Sequence, residues 1–175
     1  MDIRPATLAD ASAIASVHVE SSQTTYRGIL PDEVLRRFSH ERRREHWAKI
    51  LGDSTSQEFV FVAEDDLSQV VGFASGGPER EGDVFYRGEL YAIYLLTSSQ
   101  QHGIGRNLVA AVAQSLLLQN VKSMQVWVLE ENPSRGFYER LGGKRVREKT
   151  LNREGKLLQE IAYAWEDIHS LLVRN

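Results

Sequence analysis

One junction constrains this chain more than any other stretch: Gly88 to Val112, GELYAIYLLTSSQQHGIGRNLVAAV. From Glu89 to Leu96 the residues alternate as in an extended run. Leu90, Ala92, Tyr94 and Leu96 fall on one face and Glu89, Tyr91, Ile93 and Leu95 on the other. Both faces are mostly apolar, which predicts a buried central strand. A polar stretch, Thr97 to His102, leads into Gly103-Ile104-Gly105, after which Leu108, Val109, Val112 and Leu116 recur at helical spacing. A helix is therefore expected to begin where the glycines end. A strand, a glycine-bearing turn and a helix N-terminus together make an anion site, because the first N–H groups of the helix lack partners and its dipole is positive there. Gly103 and Gly105 let the backbone close on a phosphate without a Cβ in the way, and a pyrophosphate is the expected occupant.

The remaining sequence narrows which phosphate ligand this is. No GxxxxGK[ST] string occurs, so a Walker A loop is excluded, and Leu108 stands where a dinucleotide fingerprint needs its third glycine. At 175 residues, 42% of them hydrophobic, the chain is expected to be one folded domain over 1–175. A net charge of -3 does not suggest a nucleic-acid partner. The absence of cysteine excludes disulfides, thiolate metal sites and an acyl-cysteine intermediate. No apolar run approaches a membrane span and the start MDIRPATLAD has no signal-peptide core, so no membrane partner is expected and the cytoplasm is the default location.

Along the chain, Ile3-Arg4 forms a short strand, and Thr7 with Asp10 resembles a capping box ahead of a helix running to about Glu20. Another helix is expected from Pro31, with Tyr26, Arg27 and Gly28 in the loop between, and a third carries Trp47, Ile50 and Leu51. Glu58 to Glu64 and Gln69 to Ser75 read as antiparallel strands, the second ended by Gly76-Gly77-Pro78, and Arg87-Gly88 as a bulge. The glycine-turn helix runs to about Asn120 and Met124 to Leu129 forms the next strand. Asn132 is the expected N-cap of a short helix with Pro133 in its first turn, and a hairpin of Lys144–Leu151 and Leu157–Trp165 follows.

Gln100-x-x-Gly103-x-Gly105 resembles the Q/R-x-x-G-x-G/A acetyl-coenzyme A motif of the GCN5-related N-acetyltransferases, the GNAT superfamily. Three further pieces extend the resemblance from about Ile3 to Trp165: the start IRPATLADASAIASVHVESSQTTYRGILPDE, FVAEDDLSQVVGFASG, and ENPSRGFYERLGGK. The last is similar to N-x-x-A-x-x-F-Y-x-x-x-G-F, matched at Asn132, Phe137, Tyr138 and Gly142, with Arg135 and Gly143 in place of the usual alanine and aromatic residue. The resemblance implies an α+β fold with a mixed, mostly antiparallel central sheet flanked by helices and splayed between the strands at Glu89 and Met124. It implies acetyl-coenzyme A as cofactor, with its pantetheine arm pairing around Ile93 and Leu95, its pyrophosphate on Gln101, His102, Gly103, Ile104, Gly105 and Arg106, and Tyr94 and Gln100 also in the cofactor set. Asn132, Arg135 and Tyr138 complete the cofactor set, with Arg135 bearing on the adenine and phosphate end.

Acyl transfer to an amine needs a neutral nucleophile, a donor for the developing oxyanion and a proton for the departing thiolate. Glu89 is the candidate base acting through water, and an ion pair with a nearby arginine such as Arg87 is its structural alternative. Tyr138 is the candidate general acid, by resemblance, and the Leu95 N–H the candidate oxyanion donor. His18 is expected to pack on a helix face and His102 to sit in the turn, and no metal site is expected. The expected acceptor is a small-molecule primary amine near Tyr26, Arg27, Gly28 and Ile29, attacking directly in a ternary complex. A protein N-terminal or lysine acetyltransferase, a non-catalytic acyl-coenzyme A sensor, a nucleotide-binding module and a homodimer all stay open.

Overall fold

A computed structural model of the chain describes residues 2–172. The expected domain over 1–175 also takes in Met1 and residues 173–175, which lie outside the described residues. Seven strands form one sheet in the order β1-β2-β3-β4-β5-β7-β6. These are β1 (Asp2–Pro5), β2 (Phe59–Glu64), β3 (Val70–Pro78), β4 (Gly88–Leu95), β5 (Met124–Leu129), β6 (Lys144–Arg153) and β7 (Lys156–Trp165). Every neighbouring pair is antiparallel except β4 and β5. Helices α1 (Ala11–Tyr26), α2 (Asp32–Arg36), α3 (His40–Gly52), α4 (Ile104–Leu118) and α5 (Arg135–Arg140) flank it. The expected α+β architecture, mostly antiparallel and opened at the centre, is the one observed.

Two apolar clusters lie on opposite faces. Ile14, Val17 and Trp47 of α1 and α3 pack on Val60, Val62 and Phe73, while Leu108, Val112 and Leu116 of α4 pack on Ala63, Val71 and Ala74. The three α4 side chains are wholly buried, and each contributes about 1.5–3 kcal/mol of transfer free energy relative to exposure.

Several boundaries differ from the sequence expectation, each for a physical reason. The glycines after Ser75 do not end β3; the strand continues to Pro78. A Cβ on Gly76 would lie 2.5 Å from Val112 Cγ1 and 2.7 Å from the Glu89 carbonyl oxygen, so these positions are small because α4 and β4 approach closely. α1 runs on to Tyr26, well past the expected end near Glu20, and α5 begins at Arg135 with Ser134 as its N-cap. Asn132 instead holds the preceding turn, its Oδ1 accepting from the Ser134 N–H at 2.8 Å.

The bulge also sits elsewhere. Ala92 faces Ser75 and Leu90 faces Gly76, which leaves Tyr91 as the extra residue of β4. An inserted residue reverses the side-chain alternation. Leu90 therefore joins Ile93 and Leu95 on the α4 face, while Ala92 and Tyr94 pack toward α1 and α3. Glu89, the neighbour of Leu90, thus does not share a face with Leu95, correcting the alternation read from the sequence.

Candidate active site

β4 and β5 are paired only at Gly88 with Met124 and Glu89 with Gln125. Beyond those pairs the strands diverge, and the gap opens into a cavity of about 560 Å³. The backbone on the β4 side of the gap is free of the sheet. Leu96 donates its N–H to the Val71 carbonyl on β3 at 2.9 Å. Alternation along an antiparallel strand then turns the N–H and C=O groups of Ile93 and Leu95 the other way, into the gap. There the Leu95 carbonyl accepts from Ser21 Oγ at 3.0 Å and from Gln100 Nε2 at 3.4 Å.

At one end of the gap the chain passes through the glycine turn into α4. Gln101 and Gly103 have φ of 65° and 77°, so two residues of the turn are left-handed. A run of this kind directs successive N–H groups into one concavity, which suits an anion. Gly105 follows in the first turn of α4, where a Cβ would stand 3.2 Å from the Phe137 ring, so the helix N-terminus and α5 are close-packed. Arg106 and Arg140 line this part of the cavity.

Tyr138 lines the cavity from α5 and is almost wholly buried. Burial pushes its hydroxyl well above the usual tyrosine range, with the Tyr94 hydroxyl acting in the same direction. It therefore stays protonated at any physiological pH. Across the gap Tyr94 lies against the His18 ring at a centroid distance of 4.6 Å, and its hydroxyl is 3.3 Å from that of Tyr26. His18 is itself buried and accepts from Trp47 Nε1 at 3.2 Å. Burial, reinforced by Arg43 and His46, lowers its pKa to about 3, so it is neutral.

The cavity is lined by Ile93, Tyr94, Leu95, Gln100, Gln101, Gly103, Gly105, Arg106, Asn132, Tyr138 and Tyr26 among the residues the sequence singled out. His102, Ile104, Arg135, Arg27, Gly28 and Ile29 are not in its wall. Ile104 is directed into the core, where it is 2% exposed. Ile29 lies beside the site rather than in it, its carbonyl accepting from Lys156 Nζ at 2.6 Å and so tying the loop to the β6–β7 hairpin.

Glu89 is also outside the wall. Its carboxylate meets Arg80 Nη2 at 2.5 Å and also accepts from the Arg80 N–H and Nε. The expected ion pair with a nearby arginine is therefore present, with Arg80 in place of Arg87 as the partner. Arg80 in turn lies 3.9 Å over the Tyr91 ring, whose hydroxyl donates to the Pro78 carbonyl at 2.5 Å.

Sequence reasoning missed Ser21, Thr25, Trp127, Arg140 and Glu160, all of which line the cavity. Ser21 and Thr25 were hidden by the early end assigned to α1. The alternation of Met124–Leu129 could have marked Trp127 as facing the gap, whereas nothing local marks Glu160. Among the described residues no group of three His, Asp or Glu side chains could hold a metal ion, and no helix is long and apolar enough to cross a membrane.

Residues 20–143 match the Acetyltransferase (GNAT) family, and the chain belongs to that family. It is 42% identical over 169 residues to the uncharacterized N-acetyltransferase YuaI of Bacillus subtilis strain 168, covering 97% of this chain and 95% of that one. Its fold is similar to the PaiA N-acetyltransferase from Thermoplasma acidophilum in complex with coenzyme A. That likeness has a TM-score of 0.73 and 21% identity, over 91% of this chain and 96% of the other. It is also similar to yncA from Salmonella typhimurium with its cofactor acetyl-CoA, at TM-score 0.70 and 20% identity, over 100% and 95% of the two chains.

Proposed function

We propose that the chain transfers the acetyl group of acetyl-coenzyme A to a small-molecule primary amine by direct attack in a ternary complex. The observation that carries this reading is the pair of residues Ile93 and Leu95, whose backbone groups face an open gap between the glycine turn and Tyr138. An amide-bearing arm can pair with that edge as an added strand would. The turn at Gln101–Gly105 with Arg106 and Arg140 suits a pyrophosphate, and the PaiA and yncA structures carry coenzyme A or acetyl-CoA.

Bound acetyl-coenzyme A supplies a thioester acyl group. In the transfer an amine nitrogen bonds to the acyl carbon and the carbon–sulfur bond breaks, so one proton leaves the nitrogen and one reaches the sulfur. Tyr138 holds a proton beside the gap, and a thiol of pKa about 8.5 is the stronger acid, so proton donation by tyrosine is a modest assistance. The Leu95 N–H, directed into the gap, is the donor assigned to the carbonyl oxygen. Glu89, held by Arg80 outside the cavity wall, is assigned as base through a chain of water. Tyr26 forms part of the acceptor wall, with Arg27, Gly28 and Ile29 behind it.

The experiment is release of free thiol from acetyl-coenzyme A in the presence of an amine panel. Amine-dependent release supports the reading. Binding of acetyl-coenzyme A with no release under any amine would make the chain a sensor instead.

A further inference from the structure

Charged side chains of both signs line the cavity. Its lining cations, Arg106 and Arg140, belong to the glycine turn's helix and to α5, whereas Glu160 is the one carboxylate among the described lining residues. Glu160 stands on β7 opposite Leu129 of β5 and Lys149 of β6, on the far side of the split from the turn. It is half-buried, and burial raises its pKa against the opposing pull of Lys149 and Arg153. Around it the wall is aromatic: Tyr26, Tyr91, Tyr94 and Trp127 line the same cavity.

A cation of the protein already uses these groups. The Lys149 ammonium lies 3.9 Å above the Trp127 ring and 3.7 Å from Glu160 Oε2, and it also binds Glu81. A carboxylate beside an aromatic face is an ammonium site, since the ring quadrupole and the charge attract the same ion. The other cation near Trp127 is committed elsewhere, with Arg147 bound to Asp83 and Gln125. Lys149 and Arg153 are the cations that act on Glu160, and Glu160 itself would repel an incoming carboxylate at low local dielectric.

We propose that the acceptor is an organic cation with no carboxylate beside its reacting amine, held by Glu160 between the Trp127 and Tyr94 rings in place of the Lys149 ammonium. This rests on the acetyltransferase reading and names the chemistry of its acceptor. Glu160 and Trp127 act as recognition groups. Lys149 is the internal competitor that an incoming amine displaces.

The test pairs amines that differ by one carboxylate beside the amine: 1,4-diaminobutane with ornithine, and 2-phenylethylamine with phenylalanine. Coenzyme A affinity is measured by titration calorimetry alongside thiol release. The wild-type protein is expected to use the carboxylate-free member of each pair with kcat/KM at least tenfold higher. Glu160→Gln should raise KM for those amines tenfold or more, leaving kcat within threefold and coenzyme A affinity unchanged, and Lys149→Met should lower KM. Equal or better use of the carboxylated members overturns the proposal, as does a Glu160→Gln protein with unaltered KM. Should Glu160→Gln fail to fold, the wild-type preference within each pair decides alone. Coenzyme A binding with turnover of none of these amines overturns the acceptor proposal and leaves cofactor recognition standing; no coenzyme A binding sinks the acetyltransferase reading itself.

Discussion

Glu89 and Gln125 are the last residues that β4 and β5 set side by side before the strands part. Both are anchored on one short segment: Glu89 on Arg80, and the buried Gln125 amide on Glu79. The apex of the split is thus pinned by polar contacts from the β3–β4 connection, and the gap above it is kept open by the absence of any further pairing.

That anchoring is asymmetric, and so are the consequences of breaking it. The Glu89 side chain is 4% exposed and that of Arg80 57%. Arg80→Ala removes the guanidinium and leaves the buried carboxylate only the N–H of residue 80, which costs up to about 3 kcal/mol. Glu89→Gln leaves an arginine that water can solvate, which costs about 1 kcal/mol. Urea unfolding of the two variants measures this order. If Glu89 is also the base, Glu89→Gln lowers kcat at least tenfold with coenzyme A affinity unchanged, and a kcat within threefold of wild type removes it from the chemistry.

Tyr138 is tested by removing one oxygen. Tyr138→Phe keeps the ring that packs against Phe137 and Tyr163, so stability and coenzyme A affinity should hold. Loss of a proton donor of this kind lowers kcat by roughly 10²-fold. Pre-steady-state thiol release checks it, and an unchanged rate would make the hydroxyl a bystander.

Gly76→Ala probes the close approach of α4 and β3. The added methyl meets Val112 Cγ1 at 2.5 Å and the Glu89 carbonyl oxygen at 2.7 Å, and the backbone oxygen cannot rotate away. Overpacking of this kind costs about 1–3 kcal/mol, equivalent to a fall in Tm of roughly 3–10 °C for a domain of this size. Thermal unfolding measures it.

His18 gives the fold a pH dependence whose sign follows from its lowered pKa of about 3. Below about pH 6.5 the unfolded chain takes up a proton at this imidazole that the native state refuses, so the unfolded state gains stability as pH falls. The stabilisation is complete above pH 6.5 and declines toward pH 3, by at most about 5 kcal/mol. His46, lowered by burial, acts in the same sense. His18→Gln keeps an acceptor for Trp47 and should flatten the decline of Tm between pH 6.5 and 4. Asp10, lowered to about 2 chiefly by its hydrogen bond from Arg4, affects only the region below about pH 4.

The junction from Glu89 to Val112 was legible because three local signals coincide there: alternation, paired glycines and helical spacing. The turn, α4 and the divergence of β4 from β5 follow from it and from the family resemblance. What was not legible depends on pairing across the sheet. One unpaired residue at Tyr91 reversed the facing of Glu89, and its register with β3 is invisible in β4 alone. Glycines 76 and 77 resemble a turn in sequence because the groups that crowd them, Val112 of α4 for Gly76 and Gln57 and Tyr91 for Gly77, lie elsewhere in the chain. Glu160 reaches the cavity only because β7 is inserted between β5 and β6.

Coenzyme A recognition is assigned to the backbone at Gln101–Gly105 and at Ile93–Leu95. Titration calorimetry of the purified chain with coenzyme A, repeated on Gly103→Ala, tests it most directly. Gly103 has φ of 77°; alanine disfavours that conformation by about 1–2 kcal/mol, so the free turn of the variant relaxes and binding must restore it. The expected result is saturable one-to-one binding to the wild type, weakened roughly tenfold or more in the variant. Absence of heat and of thermal stabilisation by coenzyme A in the wild-type protein would contradict the account.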